Sequence, residues 1–108
     1  MEATPREVII YETADDKCPF EDWLSGLRDV VGRAQIRKRI NRVRKGNLGT
    51  NRSLGDGIWE LKIDFGPGYR VYYGEDGPTV VVLICGGDKG SQDRNIAKAK
   101  EYWRDYLA

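Results

Sequence analysis

The segment from Gly57 to Asp88 constrains the fold most, because it predicts three consecutive β-strands joined by two tight turns. In the first strand apolar and polar side chains alternate from Trp59 to Phe65, which is typical of a strand with one buried face. The second strand alternates too, whereas the third is an uninterrupted apolar run, which predicts a central strand covered on both sides. Glycine and proline in both turns favour hairpin connections. The predicted strands are Ile58–Phe65, Tyr69–Gly74 and Thr79–Cys85.

The rest of the chain predicts one more strand and three helices. Arg6–Glu12 is short and β-branched, which favours a first strand, and Thr50–Asp56 is polar and predicts a loop. Helices are predicted from Pro19, over Val30–Lys45 and over Gln92–Leu107, because apolar residues recur there at helical spacing. The apolar stripes are Phe20, Trp23, Leu24 and Leu27; Ile36, Ile40 and Val43; and Ile96, Ala99, Trp103 and Tyr106. The order β-α-α-β-β-β-α predicts an α+β domain with a small, mostly antiparallel sheet.

Length and composition exclude several classes of protein. A chain of 108 residues predicts a single domain covering residues 1–108. The chain contains no histidine, which excludes Ser-His-Asp and Cys-His triads and histidine-ligated metals. Its two cysteines are far apart, so we expect neither a zinc site nor a disulfide framework, and no cofactor. No apolar run is long enough to span a membrane and the N-terminus is too polar for a secretory signal, which favours the cytoplasm.

Positive charge is concentrated in one part of the chain. Residues Val30 to Gly55 contain eight lysines and arginines and no acid, while the remaining residues hold 10 basic and 17 acidic side chains. A cationic segment in a chain of net charge +1 predicts a patch for a polyanion, although a solvated helix face accounts for the same pattern.

Segments along nearly the whole chain match the motifs of one known family. The matching segments are Pro19–Leu24 with Leu27, Gly46–Gly49, Gly57–Gly74, Gly86–Lys89 and Tyr102-Trp103. They resemble the RelE/ParE superfamily of toxin–antitoxin toxins, in the branch of phage-related addiction-module killer proteins near the HigB-type toxins. The resemblance implies a RelE-like fold and a ribonuclease that cuts mRNA, usually on the ribosome, to inhibit translation. It also implies a cognate antitoxin, typically a helix-turn-helix DNA-binding protein. ParE-like relatives act on DNA gyrase instead, and a non-catalytic binding protein is a third possibility, because fold does not fix function.

Three cationic residues are the predicted catalytic group for metal-independent RNA cleavage. Arg70 lies beside a tight turn on the polar side of its strand, where a guanidinium can bind two phosphate oxygens. It matches the arginine that the ribonuclease branch uses against the scissile phosphate; its alternative is an exposed arginine paired with Glu60 or Asp64. Lys62 lies on the polar face of the neighbouring strand and approaches Arg70 if the hairpin register pairs the two residues. It matches a lysine of proton transfer or phosphate binding, with a solvent-facing lysine as the alternative. Lys89 matches a basic position at the edge of the family's site, unless it is only a mobile surface side chain.

A second set of residues is predicted to bind RNA. The basic helix would attach to ribosomal or messenger RNA through its phosphates, or to an acidic segment of the antitoxin. Tyr72 and Tyr69 are candidates for stacking on a base, with core packing as the alternative for Tyr69. Gln92 lies where some relatives carry a catalytic tyrosine or histidine, so the sequence leaves the general acid open. The predicted RNA-binding residues are Arg37, Lys38, Arg42, Arg44, Lys45, Tyr72 and Gln92.

Overall fold

A computed structural model describes residues 4–108 as five strands in one sheet, three α-helices and a short 3-10 helix. The strand order is β1-β5-β4-β3-β2, with β1 and β5 parallel and all other neighbours antiparallel. The predicted α+β class and mostly antiparallel sheet are therefore confirmed. The elements are β1 (Glu7–Ile10), α1 (Pro19–Gly26), α2 (Val30–Arg44), β2 (Asn51–Gly55), β3 (Ile58–Ile63), β4 (Tyr69–Asp76), β5 (Val80–Gly87), the 3-10 helix (Lys89–Ser91) and α3 (Gln92–Leu107).

Strand β2 corrects the sequence prediction, which placed a loop at Thr50–Asp56. Its residues have low β-propensity, but their backbone pairs with β3 in the register Asn51 to Leu61 and Arg52 to Glu60. An edge strand needs only one neighbour and tolerates polar side chains, so tertiary pairing overrides local preference here. Strand β5 is an interior strand covered on both sides, as predicted, but the middle strand of the five is β4.

The sheet carries helices on both faces. Helices α1 and α2 cover one face, and α3 covers the other, so that each of the three predicted apolar stripes packs on the sheet. The first face buries Leu61, Ile63, Tyr69, Val71, Tyr73, Val81 and Leu83 under α1 and α2. The second buries Ile58, Tyr72, Val82, Ile84 and Cys85 against Ala99 and Trp103 of α3. Within residues 4–108, no helix has the length and apolar character needed to cross a bilayer.

The start of α2 is fixed by Asp29, which lies just before the helix. One carboxylate oxygen accepts a hydrogen bond of 2.8 Å from the backbone N–H of Gly32, the usual role of an N-cap residue. The other accepts a hydrogen bond of 2.8 Å from the hydroxyl of Tyr69 at the start of β4. Asp29 therefore joins the basic helix to the strand that carries Arg70.

Candidate active site

A cleft of about 380 Å³ opens where β2, β3 and β4 meet the start of α3. Lys62 of β3 and Arg70 of β4 are direct cross-strand partners on its floor. We call this space the Arg70 cleft; it is lined by Thr50, Asn51, Arg52, Glu60, Lys62, Arg70 and Gln92.

Arg70 is buried and held from two sides. It is only 6% exposed, and its Nη1 donates a hydrogen bond of 2.6 Å to the carbonyl of Gly68. Its Nε lies 3.1 Å from Oε1 of Glu60, within ion-pair distance although the N–H is not aligned for a hydrogen bond. The alternative interpretation predicted an exposed arginine paired with Glu60 or Asp64. The side chain of Arg70 is buried instead, but its ion-pair partner is Glu60. Because the partners constrain the guanidinium, Arg70 enters the cleft in a defined orientation.

Glu60 is the carboxylate that organises the Arg70 cleft. It is 3% exposed and also accepts hydrogen bonds from Nε of Arg52 at 2.6 Å and from Nε2 of Gln92 at 2.9 Å. One carboxylate thus connects β2, β3, β4 and α3. Its contacts make Glu60 a positioning residue for Arg70, and they assign Gln92 a structural partner that the sequence did not predict.

Lys62 and Lys89 stand on either side of Arg70. Lys62 is exposed within the Arg70 cleft. Lys89 is exposed in the 3-10 helix and lines an adjoining cleft of about 340 Å³, which shares Gln92 with the first. Gly68 lies between Arg70 and Lys89, because a Cβ placed there would be 3.2 Å from Nη1 of Arg70 and 3.8 Å from Cβ of Lys89. The structure therefore brings Arg70 and Lys62 together and places Lys89 at the border of the site.

The predicted RNA-binding face of α2 is divided between two sides of the molecule. Lys38 and Arg42, one turn apart, line a second cleft of about 310 Å³ that also includes Lys62 and Thr50. Three other predicted RNA-binding residues do not share this surface, because the helix turns them away from β3. Arg37 and Arg44 line a cleft against α1, and exposed Lys45 follows the last helical turn. The structure therefore divides the predicted RNA-binding residues of α2 between two clefts, with Lys38 and Arg42 in one and Arg37 and Arg44 in the other.

Tyr72 is not available to an RNA base. Its side chain is fully buried under α3, and its hydroxyl has no hydrogen-bond partner among residues 4–108. Burial and then the charge of Glu60 raise the pKa of Tyr72, so the hydroxyl stays neutral. The predicted stacking role is wrong, because α3 covers the face of β4 on which Tyr72 lies.

Arg39 is a candidate functional residue that the sequence reasoning missed. It lies in the second cleft, which we call the Arg39 cleft, and is only 9% exposed. Its Nη2 donates a hydrogen bond of 3.0 Å to the carbonyl of Thr50, and burial followed by the charge of Arg42 lowers the pKa of Arg39. The available signal was its position three residues after Ile36, on the side of α2 that faces the sheet. The remaining residues of this cleft are Gln35, Lys38, Arg42, Gly49, Thr50, Lys62, Ile63, Asp64 and Phe65.

Two observations bear on thiol and metal chemistry in the described part of the chain. Burial raises the pKa of the Cys85 thiol to about 12, so it is not a thiolate at neutral pH. Residues 4–108 contain no group of three histidine, cysteine or acidic side chains arranged to hold a metal ion.

Comparison with known proteins places the chain in a family. No family model matches it. An uncharacterized protein of Haemophilus influenzae is 48% identical over 81 residues, which cover 75% of this chain and 82% of that protein. Identity at this level over most of both chains means that the chain belongs to the same family as the Haemophilus influenzae protein.

Proposed function

We propose that this chain is a RelE/ParE-type toxin of a toxin–antitoxin system, acting in the cytoplasm as a metal-independent ribonuclease that cleaves mRNA on the ribosome. The observation that carries the proposal is the buried Arg70, oriented by Glu60 and placed opposite the exposed Lys62 in an open cleft. Sequence resemblance supplies the family, and the geometry supports a site for a phosphodiester.

The proposed reaction is transesterification at one phosphate of the RNA. The 2′-oxygen loses its proton and bonds to phosphorus, the bond to the 5′-oxygen breaks, and that oxygen takes up a proton. The products are a 2′,3′-cyclic phosphate and a free 5′-hydroxyl. Arg70 binds the phosphate oxygens as charge develops on them, because its guanidinium is preorganised by Glu60 and by the carbonyl of Gly68. Lys62 takes part in proton transfer or phosphate binding, and Lys89 acts as a second phosphate contact or as an aid to the leaving group.

Two partners follow from the proposal. Lys38 and Arg42 line the cleft that adjoins the Arg70 cleft and would attach to the phosphates of ribosomal or messenger RNA. A cognate antitoxin, of the helix-turn-helix type that the resemblance implies, would block this surface.

A reconstituted translation reaction with a defined mRNA tests the proposal. Wild-type protein that has been washed with EDTA before addition should cut the mRNA in its translated region. The substitution Arg70→Ala should lower the rate of cutting by at least about 100-fold. The matched control is Arg104→Ala, which removes an exposed arginine of α3 outside the cleft and should cut like the wild type.

Circular dichroism and thermal melting of each variant separate loss of chemistry from loss of fold. An Arg70→Ala protein that cuts at the wild-type rate contradicts the site. A wild-type protein that leaves mRNA intact but blocks gyrase supercoiling contradicts the proposed reaction.

A further inference from the structure

Arg39 carries a buried positive charge for which the described protein provides no counter-ion. Only one of its hydrogen bonds is made, from Nη2 to the carbonyl of Thr50, and Nη1 has no acceptor within residues 4–108. No aspartate or glutamate in the described range forms an ion pair with it. A buried guanidinium normally has an ionic partner, because removing the charge from water is unfavourable unless an anion compensates it.

The surroundings of Arg39 increase its positive potential. Lys38, Arg42 and Lys62 line the same cleft, against a single acid, Asp64. The loop that closes the cleft brings backbone against the guanidinium: a Cβ on Gly49 would lie 2.6 Å from Nη2, and Gly49 has a φ of +61°. Glycine is therefore needed at this position for Arg39 to occupy its place.

The Arg39 cleft adjoins the Arg70 cleft. Thr50 and Lys62 line both, and a small hollow of about 140 Å³ formed by Thr50, Lys62 and Asp64 lies at the junction. A ligand with one anionic group at Arg70 can therefore extend across Lys62 toward Arg39. A polymer with regularly repeated phosphates fits this arrangement better than a ligand with one charge.

We propose that the Arg39 cleft is a phosphate subsite, which binds a neighbouring phosphodiester of the RNA strand whose reacting phosphate lies at Arg70. The inference rests on the proposed function for the identity of the strand. Arg39 and Arg42 bind the phosphate oxygens, and Lys62 lies between the two phosphates. The bound anion supplies the charge that Arg39 lacks in the free protein, so this contact contributes affinity and not bond cleavage.

Binding of a single-stranded RNA oligonucleotide with 2′-O-methyl groups tests the subsite, because such a strand cannot be cleaved. Fluorescence anisotropy at several salt concentrations should show that Arg39→Gln weakens binding about tenfold, as expected for a hydrogen bond to a charged group. The slope of log K against log salt should fall by about 0.7, the value for one single-strand phosphate contact. The control Arg104→Gln makes the same charge change on exposed α3 and should leave both quantities unchanged.

Thermal melting and a second variant distinguish a loss of RNA binding from a loss of the fold. Arg39→Gln should melt at or above the wild-type temperature, because it removes a charge that has no counter-ion. If Arg39→Gln does not fold, the double variant Lys38→Gln/Arg42→Gln, at two exposed positions of the same cleft, should show the loss of affinity instead.

The possible outcomes separate this inference from the proposed function. Arg39-dependent binding by a protein that cleaves no mRNA supports the subsite and contradicts the ribonuclease. If Arg39→Gln binds the oligonucleotide with the affinity and salt slope of the wild type, the subsite is overturned even if mRNA is cleaved. It is also overturned if the wild-type protein does not bind the oligonucleotide. A third outcome is that a polyglutamate peptide needs Arg39 for binding and RNA does not. This outcome also overturns the phosphate subsite and assigns the cleft to an acidic protein partner.

Discussion

Arg70 and Arg39 are both buried arginines in adjoining clefts, but they differ in the partners of their charges. Arg70 is 6% exposed and has Glu60 and the carbonyl of Gly68 as partners. Arg39 is 9% exposed, and its one hydrogen-bond partner among residues 4–108 is the carbonyl of Thr50. Within the described residues, Glu60 compensates the charge of Arg70, whereas no acidic side chain pairs with Arg39.

This difference indicates different roles for the two residues. A guanidinium with fixed partners is held in one orientation, which suits the stabilisation of a transition state. A guanidinium without a counter-ion gains most when an anion arrives, which suits binding. The two clefts can therefore act on one ligand, with position set at Arg70 and affinity added at Arg39.

The largest expected effect is that of removing Glu60. Glu60→Ala leaves Arg70 buried without its carboxylate, and loss of one partner from a buried pair typically costs about 3–5 kcal/mol. Urea denaturation should show this decrease in the free energy of unfolding. Glu101→Ala breaks an exposed pair with Lys98 and should change stability by less than about 1 kcal/mol. Similar small losses in both variants would mean that Glu60 does not hold Arg70.

Asp29 joins the regions of the two arginines, and its removal should have the next largest effect. Asp29→Ala removes the N-cap of α2 and the bond to Tyr69, which should lower the free energy of unfolding, by less than Glu60→Ala does. The Gly32 N–H and then the Tyr69 hydroxyl lower the pKa of Asp29 in the folded protein.

The same pKa shift predicts the pH dependence of this contribution. A lowered folded pKa means that the stabilisation is present above the unfolded pKa of about 4 and is lost as pH falls through the folded value. Denaturation of wild type and Asp29→Ala at several pH values should give stability curves that converge in acid. A difference that stays constant down to the lowest pH would contradict the proposed role of the carboxylate.

Replacing each arginine by methionine compares the two charges directly. Arg39→Met should leave the free energy of unfolding unchanged or raise it by about 1 kcal/mol, because an uncompensated buried charge is removed. Arg70→Met should lower it, because Glu60 loses a partner. Thermal and urea denaturation of the two variants side by side measure the contrast. If both substitutions lower the free energy of unfolding equally, Arg39 and Arg70 do not differ in the compensation of their charges.

The smallest expected effect is that of Tyr72→Phe. The hydroxyl of Tyr72 is buried without a partner in residues 4–108, so its removal should change stability by less than about 0.5 kcal/mol. Binding of the methylated oligonucleotide should also be unchanged. A clear loss of RNA affinity in a folded Tyr72→Phe protein would restore the stacking role that the structure argues against.

Local sequence patterns predicted the parts of the site that depend on local structure. Lys62 and Arg70 flank the Gly66-Pro67-Gly68 turn, so the predicted hairpin places their strands side by side, and the register seen in the structure pairs the two residues directly. The helices were predicted from their apolar periodicity, which is also a local pattern of the sequence. The fold class was therefore accessible from the sequence.

Features that depend on distant packing were not accessible. The burial of Tyr72 requires α3 to cover the second face of the sheet, and alternation within β4 contains no information about that. Arg39 is buried because the loop at Gly49 and Thr50 closes over it, so its place in a basic run predicted only an exposed side chain. Strand β2 exists through pairing with β3, which its polar residues do not encode locally.

Mapping of transcript ends in cells that express the protein is the decisive test of mRNA cleavage by Arg70. We predict new RNA ends within translated regions of many transcripts in cells with the wild-type protein, and none in cells with an equal amount of folded Arg70→Ala. Identical ends with both proteins, or growth arrest by the wild type without any new ends, would contradict it.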